Sequence, residues 1–138
     1  MAEAQNIQVV QEAYAAFGRG DVQGILDRLD DTIVWKGVYG AGSHVPTSGE
    51  RRGKPAVAEF FTQVAAHVNF SRFEPREFVA TADKVVALGH YTATTPAKKG
   101  FDSDFAMIFT LKNGKVTEFQ EFADVAAIND AYRVGATV

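Results

Sequence analysis

The chain reads as an α+β domain in which the helices come first and an antiparallel sheet follows. Three features predict this. Apolar residues recur at helical spacing through the first half, alternation with a period near two begins at Asn69, and Asn113-Gly114 marks a tight turn between two strand-like runs. With 138 residues and no internal repeat, low-complexity stretch or linker, residues 1–138 form one domain.

Ile7, Val10, Tyr14 and Phe17 make one stripe of a first helix, which Gly18 to Gly20 end. Asp21 has the side chain to cap a short second helix whose Val22, Ile25, Leu26 and Leu29 face inward. Thr32 to Trp35, β-branched and aromatic, reads as a strand, and Gly37, Gly40, Gly42, Pro46, Ser48 and Gly49 then mark a long loop. Pro55 suits the first turn of a third helix with Val57, Phe60, Phe61 and Val64 on one face. Strands follow at about Phe73–Val79, Val85–Thr94, Phe101–Leu111 and Val116–Phe122, and Asp124 is placed to cap a last helix bearing Val125, Ile128 and Tyr132.

Composition narrows the function. A formal charge of −3 gives no field that favours a polyanion, so nucleic acid is not an expected partner. No apolar run approaches the roughly 20 residues that cross a bilayer, and the acidic N-terminus carries no basic leader, so the expectation is a cytoplasmic protein without a membrane partner. The absence of cysteine removes thiol catalysis and thiolate metal sites. His44, His67 and His90 have no metal-ligand spacing, and Gly40 to Gly49 precedes no nucleotide-binding unit, so neither a metal nor a cofactor is expected. Eleven Phe point to a wide aromatic interior with space left in it.

Phe105, Met107, Phe109 and Leu111 share one face of their strand, yet Ala106 and Ile108 opposite are also apolar; in the last strand Phe119 faces one way and Val116 and Phe122 the other. Helices of the same chain cover one sheet face. The other calls for a partner, and a twofold homodimer through the outer sheet face is the simplest closed solution.

The ordered set Asp30-Asp31-Thr32-Ile33-Val34-Trp35, Arg52-Gly53-Lys54-Pro55-Ala56-Val57 with Phe60-Phe61, Gly114-Lys115-Val116 and Glu121-Phe122-Ala123-Asp124 resembles the SnoaL-like proteins. These belong to the nuclear transport factor 2-like superfamily, with the ketosteroid isomerases and polyketide cyclases. The resemblance implies a cone, a strongly curved, mostly antiparallel sheet wrapped around three N-terminal helices, with an apolar pocket at the wide end. Such folds host isomerases, cyclases, dehydratases and epoxide hydrolases as well as plain binding or scaffolding modules, so the fold leaves the reaction open.

By that resemblance Thr117, Phe119, Glu121 and Ala123 lie on the pocket side of the last strand. Glu121 is then either a proton-transfer residue whose pKa rises in an aromatic hollow or the acceptor of a core hydrogen bond. His90, alternating with Val86, Leu88 and Thr92, is expected in the same interior, as a proton relay or as a satisfied core histidine. Lys36 stands close to where the isomerases carry their base, and there it is a buried amine or a solvated loop-edge lysine; their hydrogen-bond-donating acid falls near Met107, which donates nothing. Tyr14 either orients a substrate oxygen or ties helix to sheet. Trp35, Phe60, Phe61, Phe105, Met107, Phe109 and Phe119 are the expected pocket walls, with Tyr39 and His44 in a loop that would form a lid. Asp124, opposite in parity to Glu121, is either the cap of the last helix or, by resemblance to some polyketide cyclases, an acid–base residue near the end of this strand. The expected function is cofactor-free acid–base chemistry, of isomerase, cyclase or hydratase type, on a small hydrophobic molecule bearing one or two oxygens. The alternative is a non-catalytic module that binds such a molecule or dimerises.

Overall fold

In the computed structural model, which describes residues 2–133, α1 (Ala2–Gly18) and α2 (Val22–Leu26) lead into β1 (Leu29–Gly37) and β2 (Gly49–Arg52). There follow α3 (Lys54–His67), the long strands β3 (Asn69–Ala80), β4 (Lys84–Thr94), β5 (Gly100–Lys112) and β6 (Lys115–Ala123), and α4 (Val125–Ala131). The six strands form one unclosed sheet in the order β2-β1-β6-β5-β4-β3. Every neighbouring pair is antiparallel except β1 and β6, which run parallel.

Local chemistry fixes the ends. Asp21 and Asp124 each accept a hydrogen bond from the amide three residues on, Gly24 at 2.9 Å and Ala127 at 3.1 Å, so both cap their helices as the sequence indicates. Asn113 and Gly114 have φ of 54° and 78°, the paired positive values of a type I′ turn that suits the twist of the β5–β6 hairpin. Among the described residues no helix is long and apolar enough to cross a membrane.

Three expectations need correction. Leu29 is not the end of α2 but the first residue of β1. The loop after β1 contains the strand β2, whose sequence Gly-Glu-Arg-Arg is exposed and shows no alternation; pairing with residues 34–37 of β1 makes it a strand. Val116 lies in the core and not on the face of Phe122, because a register shift between Thr110 and Leu111 brings Val116 opposite buried Leu111, while Phe122 stays 40% exposed.

The core lies between the inner sheet face and the helices. Val85, Ala87, Tyr91 and Ala93 of β4 and Phe101, Phe105, Met107, Phe109 and Leu111 of β5 point inward against Val10 and Ala16 of α1 and Val57, Phe60 and Phe61 of α3. Curvature is built into β3, where register shifts occur between Phe70 and Arg72 and between Pro75 and Glu77. Pro75 lacks an amide hydrogen and sits on the sheet's edge strand, where that loss is tolerated.

Candidate functional site

The inner face does not close completely. A cavity of about 80 Å³ is lined by Tyr14 and Phe17 of α1, Trp35 of β1, Phe60, Phe61 and Val64 of α3, Phe70 and Phe73 of β3, Tyr91 of β4, Met107 and Phe109 of β5, and Phe119 and Glu121 of β6. A second, of about 40 Å³, shares Phe60, Val64, Phe70, Tyr91 and Glu121 and extends toward Thr47, Phe101, Ile128 and Tyr132. Glu121 therefore borders both hollows. The walls are rings in edge and stacked contact, with Trp35 lying on Phe119 at 3.9 Å between centroids.

Glu121 is 5% exposed, and each of its carboxylate oxygens accepts one hydrogen bond. Tyr91 donates its hydroxyl to Oε2 at 2.7 Å, and the Val38 amide donates to Oε1 at 3.3 Å. Val38 adopts φ 44°, a left-handed conformation that is a true outlier for a β-branched residue. That turn presents consecutive amides to one residue, since the Tyr39 amide also donates to the Glu121 carbonyl at 2.9 Å. Burial raises the Glu121 pKa above its ordinary value, and the Tyr91 and Val38 hydrogen bonds only partly offset it. Burial, and then the Glu121 charge, hold the Tyr14 and Tyr91 phenols protonated far above the usual tyrosine range.

Tyr14 occupies the cavity wall with its hydroxyl directed at Met107 Sδ, 3.0 Å away. A thioether is a weak acceptor, so this phenol is under-used and available to a better one. Tyr91, by contrast, is committed to Glu121 and sets its orientation. Tyr91→Phe is expected to lower stability by about 1–2 kcal/mol, by leaving a buried acceptor short of a donor. It should also push the Glu121 pKa up further. Urea denaturation and carboxyl infrared bands check both effects; an unchanged carboxyl titration would mean that the hydroxyl does not bear on the acid.

Two residues expected to be catalytic lie elsewhere. His90 is on the outer face, since the inner face of β4 belongs to Val85, Ala87, Tyr91 and Ala93. Its Nδ1 meets Asp104 at 2.8 Å and its Nε2 meets Asp102 at 2.6 Å, with Glu74 opposite on β3 and Arg72 two residues away. A ring donating from both nitrogens is an imidazolium. The bond to Asp104 first, then that to Asp102, raises its pKa. A raised folded-state pKa contributes stability that is complete below the unfolded value, about 6.5, and is lost as pH rises through the folded one. His90→Asn should therefore lower Tm more at about pH 5.5 than at about pH 9; equal losses would remove the ion pairs as the cause.

Lys36 also faces outward, because its neighbour Trp35 faces in. Its ammonium lies 3.8 Å from Glu118, outside the cavity. Tyr39, expected at the pocket, is 51% exposed and packs edge-on against Phe122 on the outer surface. Phe105 is buried but stands behind the wall, stacked on Phe73 and Tyr91. The expected lid loop is pinned to α4: the Gly42 amide donates to Asn129 Oδ1 at 2.7 Å, and His44 Nε2 donates to the Asn129 carbonyl at 2.9 Å. The remaining expected wall residues, Trp35, Phe60, Phe61, Met107, Phe109 and Phe119, line the cavity together with Tyr14 and Glu121. Sequence reasoning missed Tyr91, the polar partner of Glu121, and the wall residues Phe17, Val64, Phe70 and Phe73. Among the described residues no cluster of three His, Cys, Asp or Glu side chains is placed to hold a metal ion.

A curved sheet folded over three helices, with an aromatic hollow and an inward carboxyl, defines a class of small α+β proteins built around an internal cavity. The chain belongs to the SnoaL-like domain family, whose model matches residues 10–119. Its fold is that of the nuclear transport factor 2-like proteins. An NTF2-like protein from Burkholderia xenovorans is 30% identical over 95% of this chain and 98% of its own, with a TM-score of 0.85. One of unknown function from Burkholderia pseudomallei is 25% identical over 94% and 98% of the two chains, with a TM-score of 0.83. TerC, co-crystallised with polyporic acid, is 25% identical over 93% and 98%, with a TM-score of 0.76. No match is found among curated proteins.

Proposed function

We propose that this protein is a cofactor-free enzyme that binds a small, largely apolar molecule bearing one or two oxygens and transfers a proton on it, as an isomerase, cyclase or hydratase does. The observation that carries this reading is Glu121, a buried carboxyl raised toward neutrality and bordering an aromatic cavity. A proton-transfer group works best when its pKa approaches the ambient pH, and desolvation moves this carboxyl in that direction. Tyr91 and the Val38 amide hold it in place. Tyr14 supplies a hydroxyl whose present acceptor is only a thioether, so a substrate oxygen can take that bond. TerC's co-crystallisation with polyporic acid supports a fold that receives small organic molecules.

The test needs no knowledge of the natural substrate. β-Tetralone has an apolar bicyclic body, one carbonyl and exchangeable α-hydrogens. The wild-type protein in deuterated water should accelerate its α-exchange, followed by proton NMR, and Glu121→Gln should not. A protein that binds the ketone without hastening exchange would be a binding module. Exchange that persists in the glutamine variant would assign the proton transfer to another group.

A further inference from the structure

We infer that the outer face of the sheet is the contact between two copies of this chain, related by a twofold axis that runs across the strands. The inference goes beyond the proposed function and does not depend on it. On that face the register lays an apolar band over four strands. Val79, Val86 and Ile108 form one row across β3, β4 and β5, and Leu88, Ala106 and Phe122 form the next across β4, β5 and β6. Val79, Leu88 and Phe122 are 50%, 36% and 40% exposed, and Tyr39 extends the second row by packing on Phe122. Apolar side chains scattered singly over a surface need no partner, whereas a contiguous band in the middle of a sheet marks an interface.

Charge bounds the band, and its sign differs between the two ends. At one end Asp102 and Asp104 of β5 flank His90 of β4, two carboxylates against one imidazolium. Glu74, beside them on β3, is matched by Arg72 and Arg76. At the other end the Lys84 ammonium donates to Thr110 at 2.9 Å, Lys112 follows on β5 with the same parity, and Glu118 is paired with Lys36. The two central strands therefore carry surplus negative charge at one end and surplus positive charge at the other. Both ends are equidistant from the level where Ala87 stands opposite Met107. His90 and Lys84 lie about 10 Å from it in opposite directions along β4, as Asp104 and Thr110 do along β5. A twofold axis parallel to the strands would set Asp104 against Asp104 and Lys84 against Lys84. An axis at right angles to them, at the Ala87–Met107 level, lays band on band and exchanges the ends, so the face is complementary to a second copy of itself. The usual angle of about 30° between packed sheets shifts residues this far from the axis sideways by about one strand. Lys84 then leaves the partner's His90 for an acid, since the neighbours of His90 in that row are Asp104 and Glu74. Asp104 is the one that no arginine neutralises.

Analytical ultracentrifugation of the full-length chain tests the interface. At about 100 µM, well above the micromolar limit for an interface of standard size, the wild type should sediment with twice the mass of one chain. Phe122→Asp puts a carboxylate into the band twice, once per copy, and should raise the dimer dissociation constant about 100-fold or more. Its circular dichroism should match the wild type, because the side chain lies on the surface; Leu88→Arg, in the same row, serves where Phe122→Asp fails to fold. Charge then tests the axis. Asp104→Lys and Lys84→Asp each bring like charges together in both copies and should weaken the dimer about tenfold or more. The double variant swaps the pair and should return to within about threefold of the wild type. A wild type that stays monomeric would overturn the inference and leave the band to a partner of another kind, and so would a dimer that survives the substitutions in the band. Single reversals without effect, or a double variant no tighter than the singles, would overturn the axis across the strands.

Discussion

Gly89→Ala is expected to destabilise the protein by about 3 kcal/mol or more and to lower Tm by about 10 °C, the upper range for overpacking in a domain of this size. A methyl group at this position would sit 2.2 Å from the Glu74 carbonyl oxygen, 2.6 Å from Phe105 Cζ and 2.9 Å from Pro75 Cα. Two of these three atoms are backbone, and they belong to the strand paired with Gly89, so no rotation of a side chain relieves the clash. Gly89 sits opposite Pro75 on one side and Phe105 on the other, beside the register shift that bends β3. It is inward by parity, between Ala87 and Tyr91. Its missing side chain lets β3 curl over the inner face and the Phe105 ring lie beneath it, stacked on Tyr91 at 5.3 Å. Pushing these apart disturbs the wall that carries Tyr91 and hence the hydroxyl that holds Glu121. Gly18→Ala is the matched control, because nothing lies within 4 Å of its added methyl at the end of α1. It should leave stability unchanged or raise it by about 0.4–1 kcal/mol. Thermal melts of both variants check the contrast; a Gly89→Ala protein that melts like the wild type would mean that β3 can move away freely.

Gly89 also shows where strand parity could not be read from β4 alone. Val86 and Leu88 on one face are as apolar as Val85 and Ala87 on the other, and β4 is a central strand whose outer face is half-covered by its neighbours. Alternation in polarity is absent there, and the larger side chains drew the inward assignment, with His90 and Thr92 carried along. The small residues Ala87, Gly89 and Ala93 are the ones under the helices, where space is short. The β4–β5 pairing held a usable signal: Phe105 and Phe109 set the inner face of β5, so Asp102 and Asp104 lie outside it, and an antiparallel hairpin places His90 directly opposite Asp104. Lys36 follows more simply, since an inward Trp35 requires an outward neighbour. Tyr39 could not be foreseen, because the left-handed turn at Val38 that sends it outward involves a residue type that rarely adopts such a conformation. The elements that were legible rest on local chemistry, namely the Asp21 and Asp124 caps and the Asn113-Gly114 turn, whereas the inward face of Phe119 and Glu121 was placed by the family resemblance. Those missed depend on partners distant in sequence.

Glu121→Gln should show opposite effects on activity and on stability. Removing a general base typically lowers the rate by about 10²–10⁴-fold, so α-exchange of β-tetralone should fall to near the uncatalysed rate. Glutamine keeps the size and one acceptor oxygen for Tyr91 or Val38, so the cavity and its affinity for the ketone should persist. Stability should move the other way, and pH reveals why. Burial raises the Glu121 pKa in the folded state above its value in the unfolded chain. Its favourable contribution is therefore complete below the unfolded value of about 4.3 and is lost as pH rises through the folded value. A glutamine has no proton to lose and bypasses that decline. The stability difference between variant and wild type should consequently shift in the variant's favour from about pH 4 to about pH 8, read as the change in urea midpoint. A shift toward the wild type would mean that Tyr91 and the Val38 amide outweigh desolvation, leaving a stabilised carboxylate in place of a poised acid. Loss of activity accompanied by a relative gain in stability at higher pH is the pattern of a group held in its place for chemistry at the expense of the fold.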